Sequence, residues 1–255
     1  MLSIGQPMIM RNFKLTIEYD GSRYSGWQRL GKGESTNTIE NKIKEVLKKM
    51  SGEDVEIFCG SRTEVGVHAY GQVISFKSMT TAPPLEIKRY LNRYLPMDIA
   101  VLEAQEMPER FHASLNAQSR TYTYRVAVGD VPSVFDRKYT WYCFGRPNAA
   151  LMKEAAALML GRHDFKNFST VKKNKSTVKE MLSLDIYADA KEIQITMCAN
   201  DFLHNMARMI VSTLVDIGLE RRPVSDVEKI FDPSGKMTGS APAEASGMFL
   251  DEITY

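Results

Sequence analysis

The sequence contains little cysteine, little net charge and no long apolar run, and each shortage excludes a class of protein. The three cysteines, Cys59, Cys143 and Cys198, are too few and too scattered for a disulfide framework or a zinc site. No apolar stretch approaches the ~20 residues that span a bilayer. Residues 1–10 lack the charged start and the apolar stretch of a signal peptide. We therefore expect a cytoplasmic protein without a membrane segment, in which residues 1–10 form a disordered extension.

The charge balance gives no general argument for a nucleic-acid partner. The chain of 255 residues carries 33 Lys and Arg against 31 Asp and Glu, a net charge of +2. An anionic partner must therefore be bound by locally clustered basic side chains. The four histidines show no metal-ligand spacing, so we expect no metal site. The hydrophobic share of 44% provides enough apolar material for a sizeable core.

The apolar residues of the first half predict the order strand, helix, strand, strand, helix, strand. Leu15, Ile17 and Tyr19 alternate with polar residues, as in a half-buried strand. A helical face follows over residues 39–50, for which Asn37 is the predicted cap and Glu40 lies three residues later. The remaining predicted elements are strands at 55–59 and 72–76, a helix between Pro83 and Pro96, and a strand at 99–102.

The second half repeats this order, with one more short helix before its last strand. Tyr122, Tyr124 and Val126 alternate as a strand, and a helix is predicted from Asn148 to Gly161. The elements predicted next are strands near 182–186 and 193–197, a long helix over 202–218, a short helix capped by Ser225 with Glu228 in capping-box register, and a strand near 248–253.

Each half has the β-α-β-β-α-β order of a ferredoxin-like unit. We expect an α+β protein with an N-terminal half at residues 11–108, which carries the loop between its two short strands, and a C-terminal half at 109–255. The halves are predicted to share one mainly antiparallel sheet with helices packed on it, because their edge strands would otherwise be exposed. This architecture serves many activities, so it does not decide the function.

The loop between the two short strands of the first half offers the side chains best suited to chemistry. Glu64 stands two residues after Arg62. Such a pair is most often a solvated ion pair on a surface hairpin. The alternative is a carboxylate that a guanidinium keeps ionised, available as a nucleophile or base. Local spacing alone leaves both interpretations open.

Residues 62–69, Arg-Thr-Glu-Val-Gly-Val-His-Ala, resemble the G-R-T-D-A-G-V-H-A signature of the TruA-type tRNA pseudouridine synthases. Further segments resemble that family in the same order along the chain. They are residues 18–22, 26–28, 71–73, 111–113 (Phe-His-Ala), 120–124 (Arg-Thr-Tyr-Thr-Tyr), 161–165, 202–208 and 245–250. The resemblance covers nearly the whole chain from about residue 13 onward, and on it the chain is identified as a member of this family.

The resemblance implies the pseudouridine synthase fold and an isomerase that needs neither a cofactor nor a metal. Such an enzyme breaks the bond between the ribose and the base nitrogen of a uridine in RNA, turns the base and rejoins it through carbon. The family implies tRNA as the RNA, its anticodon arm as the target, and a homodimer as the assembly.

The resemblance also assigns roles to single residues. Glu64 stands where the family has its nucleophilic Asp, and Arg208 matches the basic residue that pairs with that carboxylate. Tyr122 matches the active-site tyrosine, whose ring can stack on a flipped uracil and whose hydroxyl is a candidate for handling the C5 proton. Without the resemblance, Tyr122 would be interpreted as a core aromatic and Arg208 as a solvated helix charge. The predicted substrate-binding residues are Arg62, Thr63, Gly66, His68, Tyr124 and Leu203.

The densest basic run comprises Lys172, Lys173 and Lys175, followed by Lys179. Most such runs are solvated surfaces. The resemblance offers a second interpretation, in which a basic loop contacts the phosphates of the RNA backbone.

Four residues depart from the family's pattern: Glu64 for Asp, Ser61 for Gly, Val65 for Ala, and Ser114 where Arg is frequent. The longer Glu64 shifts the reacting oxygens by about 1 Å, a displacement that can cost ~10²-fold in rate. If position 61 needs a positive φ, Ser61 changes the path of the loop and can re-aim the longer side chain.

Two functions therefore remain open from the sequence. One is an active pseudouridine synthase that uses Glu64, which Arg62, Tyr122 and Arg208 favour. The other is a catalytically impaired RNA-binding paralogue, which the exchange at Glu64 favours.

Overall fold

The computed structural model describes residues 9–28, 31, 33, 35–170, 176–232 and 234–255. The chain divides into two compact units, Met1–Ala117 and Gln118–Tyr255. The predicted boundary after residue 108 stays a prediction. Of the predicted extension, residues 1–8 lie outside the described part, and Ile9 and Met10 are exposed. No helix in the described part is both long enough and apolar enough to cross a membrane.

The first unit contains its elements in the predicted order. They are β1 (Arg11–Tyr19), α1 (Ile39–Ser51), β2 (Ile57–Cys59), β3 (His68–Ser78), α2 (Pro84–Tyr94) and β4 (Ile99–Met107). β1 pairs antiparallel with β3 and with β4, and β2 pairs antiparallel with β3. The alternating residues Phe13, Leu15 and Ile17 are fully buried, as are Ile43 of α1 and Leu91 of α2. The period of two in β1 therefore marks the face of the sheet that forms the core of this unit.

The cap of α1 differs from the prediction by one residue. The Oγ1 atom of Thr38 accepts a hydrogen bond from the backbone N–H of Asn41 at 3.3 Å, so Thr38 is the N-cap. Asn37, the predicted cap, instead donates from its side-chain amide to the carbonyl of Arg23 at 2.7 Å. The side chain of Asn37 is thus bonded to a residue 14 positions away, and it does not cap the helix.

The second unit contains two more strands than predicted. Its elements are β5 (Ser119–Gly129), β6 (Trp141–Phe144), α3 (Ala149–Ala157), β7 (Gly161–Asp164), β8 (Val178–Ala188), β9 (Glu192–Ala199), α4 (Met206–Gly218), α5 (Asp226–Phe231) and β10 (Met248–Thr254). The antiparallel pairs are β10 with β5, β5 with β9, β9 with β8 and β8 with β7, and β6 pairs parallel with the end of β5. Helices and mainly antiparallel pairing within each unit confirm the α+β class.

β6 and β7 were missed because strands of four residues are too short to show an alternating pattern. Two helix limits were also wrong. α3 ends before Gly161, which has φ 87° and begins β7. α4 begins only after Asn205, whose left-handed φ of 63° interrupts the helical path, so Phe202 and Leu203 precede the helix. Ser225 is the N-cap of α5, but its side chain makes no capping hydrogen bond, so the predicted capping box is absent there.

An ion pair with two hydrogen bonds joins β5 to β9. Nε of Arg125 donates to Oε1 of Glu192 at 2.9 Å, and Nη2 donates to Oε2 at 2.7 Å. The side chains are 28% and 19% exposed, so solvent screens the pair only in part. The hydrogen bonds from Arg125 hold the pKa of the Glu192 carboxyl below its ordinary value of 4.5. The pair therefore stabilises the fold above pH 4.5 or so, and this contribution is lost as the pH falls through the lowered pKa of the folded state.

Glu192→Gln is expected to lower the free energy of unfolding at pH 7 by about 1 kcal/mol, because the charge-assisted bonds to Arg125 are lost. The difference from wild type should shrink between pH 7 and about pH 3, because Glu192 becomes protonated as the pH falls through its lowered pKa in the folded state. Urea denaturation at the two pH values measures it. Asp54→Asn is the control, since Lys48 and Asp54 form an exposed pair with side chains 59% and 78% exposed. An equal loss for Glu192→Gln at both pH values would contradict the electrostatic explanation.

Candidate active site

The motif singled out in the sequence lies in the segment 60–67, which connects the paired strands β2 and β3. Arg62 and Val65 are exposed, Glu64 is partly buried and Thr63 is 6% exposed. His68, predicted as part of the loop, is already the first residue of β3. The segment, called the motif loop below, therefore has some residues buried in the first unit and others exposed to solvent.

A tight turn follows Glu64. The N–H of Val67 donates to the carbonyl of Glu64 at 3.2 Å, and Gly66 at the third position of this turn has φ 80°. A type II turn requires a positive φ at that position, which glycine adopts without strain. Gly66 thus serves the backbone turn that presents Glu64.

Thr63 anchors the motif loop on two sides. Its Oγ1 atom and the hydroxyl of Tyr19 are 2.7 Å apart and hydrogen-bonded, and both side chains are buried. Its carbonyl accepts the backbone N–H of Trp27 at 3.0 Å. Because Thr63 precedes Glu64 directly, these bonds fix the backbone from which the carboxylate extends.

Gln72 on β3 holds the beginning of the loop. It is fully buried, and its Oε1 accepts the N–H of Ser61 at 3.3 Å while its Nε2 donates to the carbonyl of Ser61 at 2.5 Å. The same Nε2 lies 3.3 Å from the hydroxyl of Tyr19. Among the described non-glycine residues, only Asn205 and Glu220 have a positive φ. Ser61 therefore adopts an ordinary backbone conformation, and its Cβ atom causes no strain of the kind anticipated from the sequence.

His68 ties the end of the loop to the turn after β1. Its side chain is 2% exposed, and its Nδ1 accepts the N–H of Gly21 at 3.1 Å. Oδ1 of Asp20 lies 3.2 Å from the same Nδ1. A single ring nitrogen cannot accept from Gly21 and donate to Asp20 together, and we assign the lone pair to Nδ1 because the N–H of Gly21 is directed at it. His68 then carries its proton on Nε2 and acts as a fixed link within the first unit.

Gly21 lies in the segment 18–22 that resembles the family, but the sequence did not indicate why this position needs glycine. A Cβ atom added to it would lie 2.0 Å from the carbonyl oxygen of Val67 and 2.7 Å from its carbonyl carbon. The backbones of residues 21 and 67 therefore pass so closely that only glycine fits.

Tyr19→Phe should lower the free energy of unfolding by about 1 kcal/mol, because Thr63 and Gln72 lose a buried hydrogen-bond partner. Chemical denaturation of the two proteins measures the difference. Tyr187→Phe is the matched control, because Tyr187 on β8 is 64% exposed. Equal stabilities of Tyr19→Phe and wild type would show that the hydroxyl does not hold the loop.

In the second unit, Tyr122 occupies the middle of a sheet. It lies on β5 opposite Met197 of β9 and Leu250 of β10. The ring is 4% exposed and packs edge-on against Phe202, with ring centroids 5.0 Å apart. Neighbours on both strands and on one ring edge leave the side chain little rotational freedom.

Tyr124, two residues further on the same face, is a core residue of the second unit. It is 1% exposed, and its hydroxyl donates to the carbonyl of Glu244 at 2.5 Å. Burial raises the pKa of this hydroxyl far above its ordinary value of 10.0. Tyr124 therefore stays neutral and secures the segment before β10.

Arg208 lies in the first turn of α4 and is partly buried. Its Nε donates to the carbonyl of Ala243 at 2.6 Å, and its Nη1 lies 3.4 Å from Oδ1 of Asn205. Its own carbonyl accepts the N–H of Ala243 at 3.2 Å. An arginine that is partly buried on a largely apolar helix needs such partners, and these fix the plane of the guanidinium. Leu203, 9% exposed, lies just before this helix.

The predicted basic run lies only partly within the described residues. Lys172, Lys173 and Lys175 lie outside the described residues. Nζ of Lys179 pairs with Oδ2 of Asp201 at 2.5 Å. The other histidines make hydrogen bonds through a ring nitrogen. Nδ1 of His112 accepts the N–H groups of Ser114 and Leu115. Nε2 of His163 is bonded to the carbonyl of Leu160, and Nδ1 of His204 to the hydroxyl of Thr170. Within the described ranges, no group of three His, Cys, Asp or Glu side chains is placed to hold a metal ion.

Comparison with known proteins places the chain in a family. Residues 15–116 and 155–255 match the family described as tRNA pseudouridine synthase. Over 247 residues, the chain is 41% identical to tRNA pseudouridine synthase A 2 of a Bacillus cereus strain, 40% to tRNA pseudouridine synthase A of a Bacillus species and 38% to tRNA pseudouridine synthase A 1 of Clostridium tetani. Each comparison covers 96% of this chain and 100% of the relative. The chain belongs to the tRNA pseudouridine synthase family.

Proposed function

We propose that this chain isomerises uridine to pseudouridine in tRNA, with the carboxylate of Glu64 as the nucleophile. Family membership over nearly the full length carries the proposal for the reaction. The anchored backbone on both sides of Glu64 supports the choice of residue, because a nucleophile must be held in a defined direction. Glu64 is partly buried, so it can face a bound base and still be reached by it.

The reaction exchanges one bond to the ribose for another. The bond between C1′ of the ribose and N1 of the uracil breaks, and the Glu64 carboxylate assists the departure of the base. The base then turns, and C5 forms the new bond to C1′ and loses its proton. N1, which carries no proton while it is bonded to the ribose, gains one, so the product is an isomer of the substrate. We assign the removal of the C5 proton to the hydroxyl of Tyr122, whose ring would stack on the turned base. No step requires an oxidant, a metal or a cofactor.

Arg208 is proposed as the cation that keeps the nucleophile ionised. A guanidinium beside a carboxylate lowers the pKa of the acid and fixes its direction through charge-assisted hydrogen bonds. The partners of Arg208 within the second unit support this role, because they orient the group before any substrate binds.

Some of the other predicted residues are proposed to contact the RNA, and the rest to hold the loop and the sheet that form the site. Arg62 is exposed and is proposed to fill the space that the extruded base leaves in the RNA. Leu203 is proposed to line the base site from the segment before α4. The other predicted binding residues are proposed to act by holding the loop or the sheet, given the contacts described above: Thr63, Gly66, His68 and Tyr124.

The substrate and setting are proposed from the family. We infer a uridine in the anticodon arm as the target, the basic side chains of Lys172, Lys173 and Lys175 as contacts to the RNA backbone, and a homodimer acting in the cytoplasm. Backbone contacts of this kind would make tRNA binding weaken steeply with salt.

The second candidate function is a tRNA-binding paralogue without catalysis, which the additional methylene of Glu64 favours. Release of tritium from tRNA labelled at C5 of uridine distinguishes the two, because the label leaves only when C5 loses its proton. An active enzyme releases tritium and leaves pseudouridine in the product. A chain that binds tRNA but releases no more tritium than Glu64→Ala would be the paralogue.

A further inference from the structure

Residues 238–244, called the strap below, connect the region of α5 to β10 and run beside α4 in the second unit. One end of the strap contacts the middle of α4, and the other contacts Arg208 near the beginning of that helix. The strap has no secondary structure, so hydrogen bonds to neighbouring segments, from its backbone and its side chains, determine its path.

Ser240 fastens the first end of the strap to α4. Its Oγ donates to Oδ2 of Asp216 at 2.6 Å, and its N–H donates to Oγ1 of Thr213 at 2.9 Å. Thr213 is fully buried and itself donates to the carbonyl of Met209 at 2.7 Å. Both bonds of Ser240 therefore end on a rigid helix.

Arg222 also binds this first end of the strap, at Ser240 and Thr238. Its Nη1 donates to Oγ of Ser240 at 3.2 Å, its Nη2 to the carbonyl of Thr238 at 3.1 Å, and its Nε to Oδ2 of Asp226 at 3.3 Å. The hydroxyl of Ser240 thus donates once, to Asp216, and accepts once, from Arg222. Each partner on this hydroxyl is charged, which makes the bonds stronger than those between neutral groups.

The second end of the strap orients the guanidinium of Arg208. Ala243 donates its N–H to the carbonyl of Arg208 at 3.2 Å and accepts Nε–H of the same residue at 2.6 Å. The next carbonyl, of Glu244, accepts the hydroxyl of Tyr124 at 2.5 Å. Only Ala241 and Pro242 separate Ser240 from Ala243, and proline fixes its own φ, so the two ends are stiffly joined.

We infer that Ser240, held by Asp216 and Arg222, is a positioning residue for the guanidinium of Arg208. It acts through the carbonyl of Ala243, which it keeps at the place where Nε of Arg208 donates. The inference rests on the proposed function, in which Arg208 directs the nucleophile. Ser240 itself contacts neither the substrate nor the reacting atoms.

Ser240→Ala is expected to lower kcat for pseudouridine formation by roughly tenfold and to leave KM for tRNA within about twofold, because transition-state alignment depends on Arg208 while RNA binding does not. The Nε–H of Arg208 should exchange with solvent several-fold faster, which nitrogen-15 NMR of the arginine side chains measures. In an Arg208→Lys background, which has no Nε–H, the loss of kcat from Ser240→Ala should nearly vanish.

Ser234→Ala is the matched control, because Oγ of Ser234 also donates to an aspartate, Asp232 at 2.7 Å, but on an exposed turn before the strap. It should change neither kcat nor the exchange rate. An unchanged exchange rate in Ser240→Ala would overturn the inference. So would a double variant whose loss of kcat equals the product of the losses of Ser240→Ala and Arg208→Lys alone. If wild type forms no pseudouridine, the proposed function fails, and the exchange rate still decides whether Ser240 positions Arg208.

Discussion

Replacing Glu64 by alanine should lower pseudouridine formation by about 10³-fold or more, because the reaction then lacks its nucleophile. The motif loop should keep its shape, since the variant retains the hydrogen bonds at Ser61, Thr63, Val67 and His68 and at the carbonyl of residue 64. Glu64→Gln keeps the length of the side chain and removes only the charge, and it should be equally inactive.

Glu64→Asp tests whether the loop is adapted to the longer acid. The ordinary backbone of Ser61 and the anchored Thr63 present Glu64 without visible strain. We expect Asp, whose oxygens retreat by about 1 Å, to lower the rate by ~10-fold to 10²-fold. A higher rate for Glu64→Asp would instead show that the site still has the geometry for aspartate.

Single-turnover release of tritium from uridine-labelled tRNA measures all three variants, and the dissociation constant for tRNA serves as the control. It should stay within about twofold of wild type, because the phosphate contacts are retained. Equal rates for wild type and Glu64→Ala would remove Glu64 from the mechanism.

Gly21→Ala should destabilise the protein by about 3 kcal/mol and abolish most of the activity. The new Cβ atom would lie 2.0 Å from the carbonyl oxygen of Val67, so one backbone must move away from the other. That movement also breaks the bond from Gly21 to His68 and shifts the turn that follows Glu64. Urea denaturation and the tritium assay measure the two effects.

Gly52→Ala separates this clash from the general cost of replacing a glycine. Gly52 follows α1 with φ 76°, and a Cβ atom there would meet no atom within 4 Å. Its replacement should cost about 1 kcal/mol from backbone strain and leave the activity of the folded protein unchanged. If both variants lose the same stability and retain the same activity, the close approach of residues 21 and 67 is not what shapes the loop.

Much of the fold followed from local patterns. The alternation of Leu15, Ile17 and Tyr19 predicted β1 because a strand exposes its two faces in turn. The apolar face from Ile39 to Met50 predicted α1 because residues three and four apart share one side of a helix. Elements of nine to thirteen residues such as these repeat their period often enough to be recognised, whereas β6 and β7, of four residues each, do not.

The candidate site was only partly accessible to the same reasoning. The motif at residues 62–69 and the tyrosines of β5 were recognisable as sequence, and they carried the family assignment. Gly21 and Gln72 lie in segments that resemble the family, at residues 18–22 and 71–73, but the sequence did not indicate what they contact. Ser240 lies in no such segment. The partners of the three residues lie 47, 11 and 24 residues away.

By itself, the sequence determined the order of the elements within the first unit, the α+β class and the family, because periodicity and motifs are properties of neighbouring residues. The tertiary structure alone decided how the site is held. Packing determines that two backbones approach so closely that only Gly21 fits. Packing also determines that the carbonyl of Ala243 accepts Nε–H of Arg208, 35 residues away along the chain. Such contacts form only when distant segments fold together, and no repeat along the chain encodes them.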